Sequence, residues 1–299
     1  MSSRVADAGV EAPAAHPSPS RLVPWFAALA AYAVPIWFVL APMALFLGYS
    51  FFSVDKGNIV FTPTVANYVR FFTDPVFLPI FWRTCLLCLA VAVLCVLFAF
   101  PVAYFLTTLR GRRRYVLLVL LLVPLLMSYV IKIYAVRSIL GGNGMLNRAL
   151  LATGLIDKPS MLFVFNLNAV LLTLTVLLIP FAVLPIFLSL ERIPKALRHA
   201  SADLGASNAQ TFWRVTVPLS LPGTLSAMSF VFVLAIGDFL TPQMVGGQSG
   251  FTFGRIIYSQ FGTAFNWPFG AALSVILAAV VIIAIRLGGR VESSRGRIQ

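Results

Sequence analysis

Few residues of this 299-residue sequence are equipped for chemistry, and their spacing limits what each can do. Cys85, Cys88 and Cys95 contain a Cys-x-x-Cys pair, the arrangement that serves metal binding or dithiol exchange. No second pair or nearby histidine completes a ligand set, so packing is the better reading of all three. The two histidines, His16 and His199, have no carboxylate cluster to work with. Gly141-Gly142-Asn143-Gly144 has the composition of a phosphate cradle, but no strand pattern precedes it and no Gly-Lys-Ser/Thr follows, so a sharp turn is expected. A Walker A pattern occurs nowhere in the chain, which excludes nucleotide hydrolysis through a P-loop of its own. Asp238 remains, in Gly237-Asp238-Phe239-Leu240-Thr241-Pro242, near the end of an apolar run. An ionisable group at membrane depth is costly and by default functional. It either faces a pathway, with Phe239 beside it, or caps a helix end at the outer surface. No catalytic residue, metal site or resident cofactor is expected.

The elements that must position these residues are spans of hydrocarbon. The chain is 60% hydrophobic and only 10% charged, against roughly a quarter charged in a soluble domain. A spanning helix needs about 20 apolar residues, and six runs qualify, at about 25–50, 84–109, 115–136, 162–190, 217–240 and 268–289. They are continuous rather than alternating, so they predict helices and not barrel strands. The expected fold is an all-α membrane protein of six transmembrane helices. Its domains are a disordered tail over 1–23, a membrane domain over 24–289 with a polar loop at 191–216, and a short tail over 290–299. Residues 1–23 do not read as a cleaved signal peptide, because the apolar run after them is too long and no A-x-A site follows it.

The net charge of +13 suggests nucleic acid until its placement is considered. With both termini inside, the cytoplasmic segments hold Arg4, Arg21, Arg110, Arg112, Arg113, Arg114, Arg192, Lys195, Arg198, Arg214, Arg286, Arg290, Arg295 and Arg297, fourteen of the 22 basic residues. The longer outside segments hold the other eight. That bias predicts an N-in, C-in orientation and removes the need for a nucleic-acid partner; membrane lipid is the expected surroundings. Lys132 and Arg137 are expected to snorkel towards the outer surface from the third span. Tyr68, Phe71 and Phe72, between the first two spans, suit a membrane interface. Pro35, Pro42, Pro101, Pro124, Pro180 and Pro185 lie inside spans and shape them, the last two marking a place where the fourth can bend.

The polar stretch HASADLGASNAQTFWRVTVPLSLPG at 199–223 is unlike the runs around it. Pro194 is able to open a helix at its first turn, Lys195 to Leu204 is helix-compatible, and Gly205 is a natural left-handed stop. Ser207-Asn208-Ala209-Gln210 reads as a capping box for a second short helix through Phe212 and Trp213, which Pro218 is expected to break before the fifth span. A compact helix–glycine–helix on the cytoplasmic face suits a partner's groove better than chemistry.

This stretch resembles the cytoplasmic "EAA" loop of permease subunits of binding-protein-dependent ABC importers: E-A-A, three residues, glycine, then about nine before a hydrophobic-x-Leu-Pro. Ala200, Ser201, Asp203, Leu204, Gly205, Ala206, Phe212, Val215 and Pro218 fall on the pattern, while His199 stands where the family has glutamate and Ser201 where it has alanine. "TPTVANYVRFF" (62–72), "GGNGMLNRALLATGLID" (141–157), "GDFLTPQMVGG" (237–247) and "NWPFGAALSVIL" (266–277) are similar to the spermidine/putrescine branch. The resemblance implies a type I ABC importer permease of the bacterial inner membrane. It further implies a coupling helix, carried by His199, Ala200, Ser201, Asp203, Leu204, Gly205, Ala206 and Phe212, that docks into an ATPase. The implied partners are a second permease, two ATPase subunits that use ATP and Mg2+, an extracytoplasmic binding protein and a polyamine passing Asp238 and Phe239. Opine, phosphonate and ferric-ion permeases share the branch. A stand-alone secondary transporter is the rival; it would show several intramembrane charges, or repeated halves with broken helices, and the sequence suggests neither.

Overall fold

The computed structural model describes residues 22–296 except Lys56, Met161 and Leu162. The expected tail over 1–23 therefore lies outside the described residues up to Arg21, and Leu22 and Val23 already belong to a helix. The chain divides into two units, residues 1–46 and 47–299. Helix α1 (Leu22–Tyr49) begins in the first and is apolar along its length.

The second unit starts with a small hairpin, β1 (Ser53–Asp55) and β2 (Asn58–Val60), antiparallel with Val54 opposite Ile59. Helix α2 (Ala66–Thr73) follows. Asn67 fixes it to the preceding chain, donating to the carbonyls of Ser50 at 3.0 Å and Phe52 at 2.7 Å. Phe71, expected at the membrane interface, is buried in an aromatic cluster with Phe81 and Phe253. Burial of a ring that size outweighs an interfacial perch.

The body of the unit is α3 (Phe77–Thr108), α7 (Leu167–Glu191) and α10 (Val217–Ile236). Lipid tails are as apolar as leucine, so membrane helices associate through close packing of small side chains. Here Ala92, Cys95, Ala99, Ala103, Ala182 and Ala227 are fully buried in one core. Cys88 and Cys95 are part of it, and the Cys95 thiol donates to the Thr175 carbonyl at 3.4 Å. The closest approach is at Gly223, where an added Cβ would lie 2.2 Å from the Ser189 Cβ.

Among the described residues, four helices are long and apolar enough to cross a bilayer: 77–108, 167–191, 208–236 and 267–286. Two features depart from the sequence expectation. The third span, read as continuous over 115–136, is broken. Helix α4 (Arg112–Leu122) passes into a 3-10 turn over Val123–Leu126, and the stretch Tyr129–Ala152, which opens with α5 (Tyr129–Leu140), leaves at 97°. Pro124 lies in that turn, where its missing N–H and its ring disfavour a further α-turn. The absence of broken helices thus no longer counts against a secondary transporter. The loop after α5 turns at Gly141, whose carbonyl accepts from Gly144 N at 2.7 Å, and leads through α6 (Met145–Ala152) towards α7.

The second departure is at Pro218. Helices α8 (Lys195–Asp203) and α9 (Asn208–Thr211) form the polar segment. Instead of ending at Pro218, α9 runs through a π-turn, Phe212–Thr216, straight into α10. A proline cannot donate to the carbonyl four residues back and crowds it; widening the turn relieves both faults without a break. Beyond α10 come α11 (Leu240–Val245), α12 (Phe253–Gly262) and α13 (Trp267–Gly296). The last continues seven residues past the expected end of the sixth span at 289.

Candidate functional site

Two groups of residues stand out, at different levels of the second unit. The first is the polar segment. Ser201, Ala202 and Leu204 close α8 in a complete Schellman motif: Ala206 N bonds the Ser201 carbonyl at 3.1 Å and Gly205 N the Ala202 carbonyl at 2.8 Å. Gly205 takes φ +80, the left-handed conformation that this closure requires and that disfavours a Cβ. Two residues on, the expected capping box is present, with Ser207 N–Gln210 Oε1 at 2.9 Å and Gln210 N–Ser207 Oγ at 3.3 Å. A hydroxyl pair, Ser201 and Thr211 at 2.9 Å, ties α8 to α9. Phe212 roots the segment in α3, its ring edge-on to Tyr104 at 5.1 Å and Phe100 at 6.0 Å.

What the segment leaves uncovered is informative. No residue of α8 is buried, and Leu204 is 87% exposed at its end. His199, Ala200 and Asp203 are exposed, while Ser201, Ala206 and Phe212 are half-buried. An added Cβ on Gly205 would meet nothing within 4 Å. Arg114 forms an ion pair with Glu191 at 2.6 Å, and Arg198 lies 5.9 Å from the Tyr104 ring. The basic turn at 110–114 and the basic segment at 192–214 therefore share one end of the unit. At about 1.5 Å per residue, the 32-residue α3 is about 48 Å long. That exceeds a hydrocarbon core of about 30 Å, which leaves room for Tyr104 and the polar segment outside it.

The second group surrounds Asp238, immediately after α10. Its Oδ1 accepts from the backbone N–H of Leu240 at 2.8 Å and Thr241 at 3.2 Å, capping α11. Its Oδ2 accepts from the Tyr129 hydroxyl and the Thr241 hydroxyl, each at 2.5 Å. Of the two sequence readings, the helix cap is thus realised, yet the carboxylate also reaches the first residue of α5. Four donors satisfy its lone pairs, and none brings positive charge; among the described residues the only ion pair is Arg114–Glu191. Phe239 does not touch the carboxylate cluster. It stacks on Tyr258 of α12, ring centroids 4.7 Å apart and planes within 12°, and the rings stay 38% and 45% exposed.

Tyr129, Thr241 and Tyr258 carry no mark in the sequence that would single them out. Tyr129 and Asp238 are 109 positions apart, and nothing local signals the pairing. The two expected snorkelling cations are differently placed. The Lys132 ammonium lies back over the Tyr129 ring at 5.4 Å, and the Arg137 guanidinium over Phe165 at 5.0 Å. Helical side chains lean towards the helix N-terminus, which on α5 takes Lys132 towards Tyr129 and away from the helix's far end.

No family model matches the chain. Over 247 residues it is 35% identical to the spermidine/putrescine transport system permease protein PotB of Escherichia coli K12, spanning 82% of this chain and 89% of that protein. It is 32% identical over 252 residues to the inner membrane ABC transporter permease protein YdcU of the same organism, 79% of each. The backbone also follows a chain of a bacterial ABC transporter involved in the import of the acidic polysaccharide alginate. There the TM-score is 0.68 at 17% identity, covering 92% of this chain and 96% of the other, a likeness of fold. With a third of its residues shared across four-fifths of its length, the chain belongs to the ABC transporter permeases of the spermidine/putrescine type, as a multi-pass protein of the inner membrane.

Proposed function

We propose that this chain forms half of the translocation pathway of an ATP-driven polyamine importer and carries one of its two coupling levers. The observation that carries the reading is α8: a helix whose end is closed by a satisfied cap, yet which buries none of its residues. A helix with an exposed leucine beside an unobstructed left-handed glycine is built to be covered by a partner. The partner is an ATPase subunit, and His199, Ala200, Ser201, Asp203, Leu204, Gly205, Ala206 and Phe212 carry the contact or its support. A second permease, a second ATPase subunit and an extracytoplasmic binding protein complete the assembly, with ATP and Mg2+ bound in the ATPases. With His199 in place of glutamate, docking rests on shape more than on an ion pair at that position.

The mechanism is alternating access. ATP stabilises one arrangement of the ATPase pair, α8 moves with it, and the spans shift between two packed states around the solute. Three features route that motion: the π-turn joins α9 to α10 without a flexible linker, Phe212 holds α3, and Arg114–Glu191 ties α4 to the end of α7. The polyamine assignment follows the relatives named for spermidine and putrescine. The site at Asp238 supports it: a carboxylate that makes no ion pair among the described residues, near the exposed Phe239–Tyr258 stack, offers ion pairing and cation–π contact to a flexible polycation. Extraction in mild detergent with a tag on this chain tests the coupling reading. An ATPase subunit should copurify with wild type and be lost from Gly205→Trp; equal recovery from both would overturn it.

A further inference from the structure

The Asp238 site contains a cation of its own. Lys132 sits one turn along α5 from Tyr129, with its ammonium 5.4 Å from the ring centre, and the hydroxyl of that ring donates to Asp238. Lys132 is half-buried, and it has no carboxylate partner among the described residues. Its charge is held by cation–π contact with Tyr129. A lysine placed for solubility would extend into water; this one leans back over an aromatic face beside the one carboxylate of the cluster. Tyr129 thus links the two charges, its ring under the ammonium and its hydroxyl on the carboxylate, and Lys132 and Asp238 form no ion pair with each other.

We propose that Lys132 is a tethered counter-cation that keeps the Asp238 site from holding a passing amine too tightly. The inference rests on the polyamine reading above. A pathway site must bind well enough to admit its solute and weakly enough to release it. A half-buried carboxylate near an aromatic stack would hold a polycation more tightly than a fully hydrated one, because Coulomb attraction grows as the effective dielectric constant falls. A lysine ammonium is chemically a polyamine terminus on a stem. Lying on Tyr129, whose hydroxyl binds Asp238, it competes for the same carboxylate, then yields when a free polycation arrives. Lys132 is therefore a positioning residue for release, acting through Tyr129 and Asp238.

The experiment uses the assembled transporter in proteoliposomes with ATP inside and radiolabelled spermidine on the binding protein outside. Lys132→Met should lower the maximal uptake rate about tenfold while leaving half-saturation by loaded binding protein unchanged. Lys132→Arg, which keeps the charge, should retain at least half the wild-type rate. Lys132→Met/Asp238→Asn, neutral again, should transport faster than Lys132→Met alone. That rescue is a result which damage to the fold would not produce. Wild-type uptake by Lys132→Met, or equal losses in Met and Arg variants with no relief from Asp238→Asn, overturns the inference. A wild-type complex that hydrolyses ATP but imports no spermidine or putrescine overturns the substrate reading, and this inference with it.

Discussion

Gly205 allows two contributions to coupling to be separated. Its φ of +80 places it where a non-glycine residue costs about 1–2 kcal/mol. A Cβ there touches nothing within 4 Å, so within this chain the cost of an alanine is backbone strain alone. About 1–2 kcal/mol corresponds to roughly a five- to thirtyfold shift in an equilibrium, so Gly205→Ala should lower ATP-driven uptake by up to about thirtyfold. Gly205→Asn, which tolerates the left-handed region, should lose less than alanine if strain dominates. Gly205→Trp bears the same strain but places an indole where the partner must sit, and uptake should fall to background with membrane insertion unchanged. The assay is spermidine uptake in proteoliposomes alongside copurification of the ATPase. Tryptophan and alanine variants within twofold of each other would show that nothing packs on residue 205. Full uptake by both would refute the docking argument itself.

Three further outcomes are expected. Cysteines introduced at Arg113 and Gly296, in a background lacking Cys85, Cys88 and Cys95, should be labelled from the cytoplasmic side only; labelling of either from outside intact cells contradicts the charge-based orientation. Asp238→Asn keeps an oxygen able to cap α11 but removes the charge, so spermidine uptake should drop about tenfold with assembly intact, and normal uptake would remove Asp238 from the pathway. Gly223→Ala drives a methyl into Ser189 across the α7–α10 contact and should destabilise the protein by about 1–3 kcal/mol, read as a lower midpoint in thermal unfolding; an unchanged midpoint would show that the contact relaxes freely.

Short-range chemistry makes the polar segment legible in the sequence. A glycine at C′, a serine N-cap and a glutamine three residues later are signals within one or two turns, and each makes the hydrogen bond it implies. Span existence is legible for the same reason, because twenty apolar residues admit few other readings. The break at Met127–Ser128 is not. Leucine, valine and methionine flank Pro124 on both sides, and the hydropathy of a helix does not report its direction. Pro218 misleads in the opposite sense, since a π-turn absorbs a proline that would end an ordinary α-turn. Of the two candidate roles of Asp238, the structure shows the helix cap. Its cap is local and therefore expected, whereas its hydrogen bond to Tyr129 depends on how α5 leaves the break. Lys132 follows from the same hidden geometry: its place in the span suggests snorkelling, and its contact with the Tyr129 ring depends on how α5 leaves the break.

The central claim is that this chain moves a polyamine only when a docked ATPase drives it. Its most direct test is spermidine accumulation in proteoliposomes containing this permease, its partner permease and the ATPase, with loaded binding protein outside and Mg2+ with either ATP or a non-hydrolysable analogue inside. Accumulation with ATP, none with the analogue, and none from this chain reconstituted alone is the predicted result. ATP-independent transport by the isolated chain would contradict it.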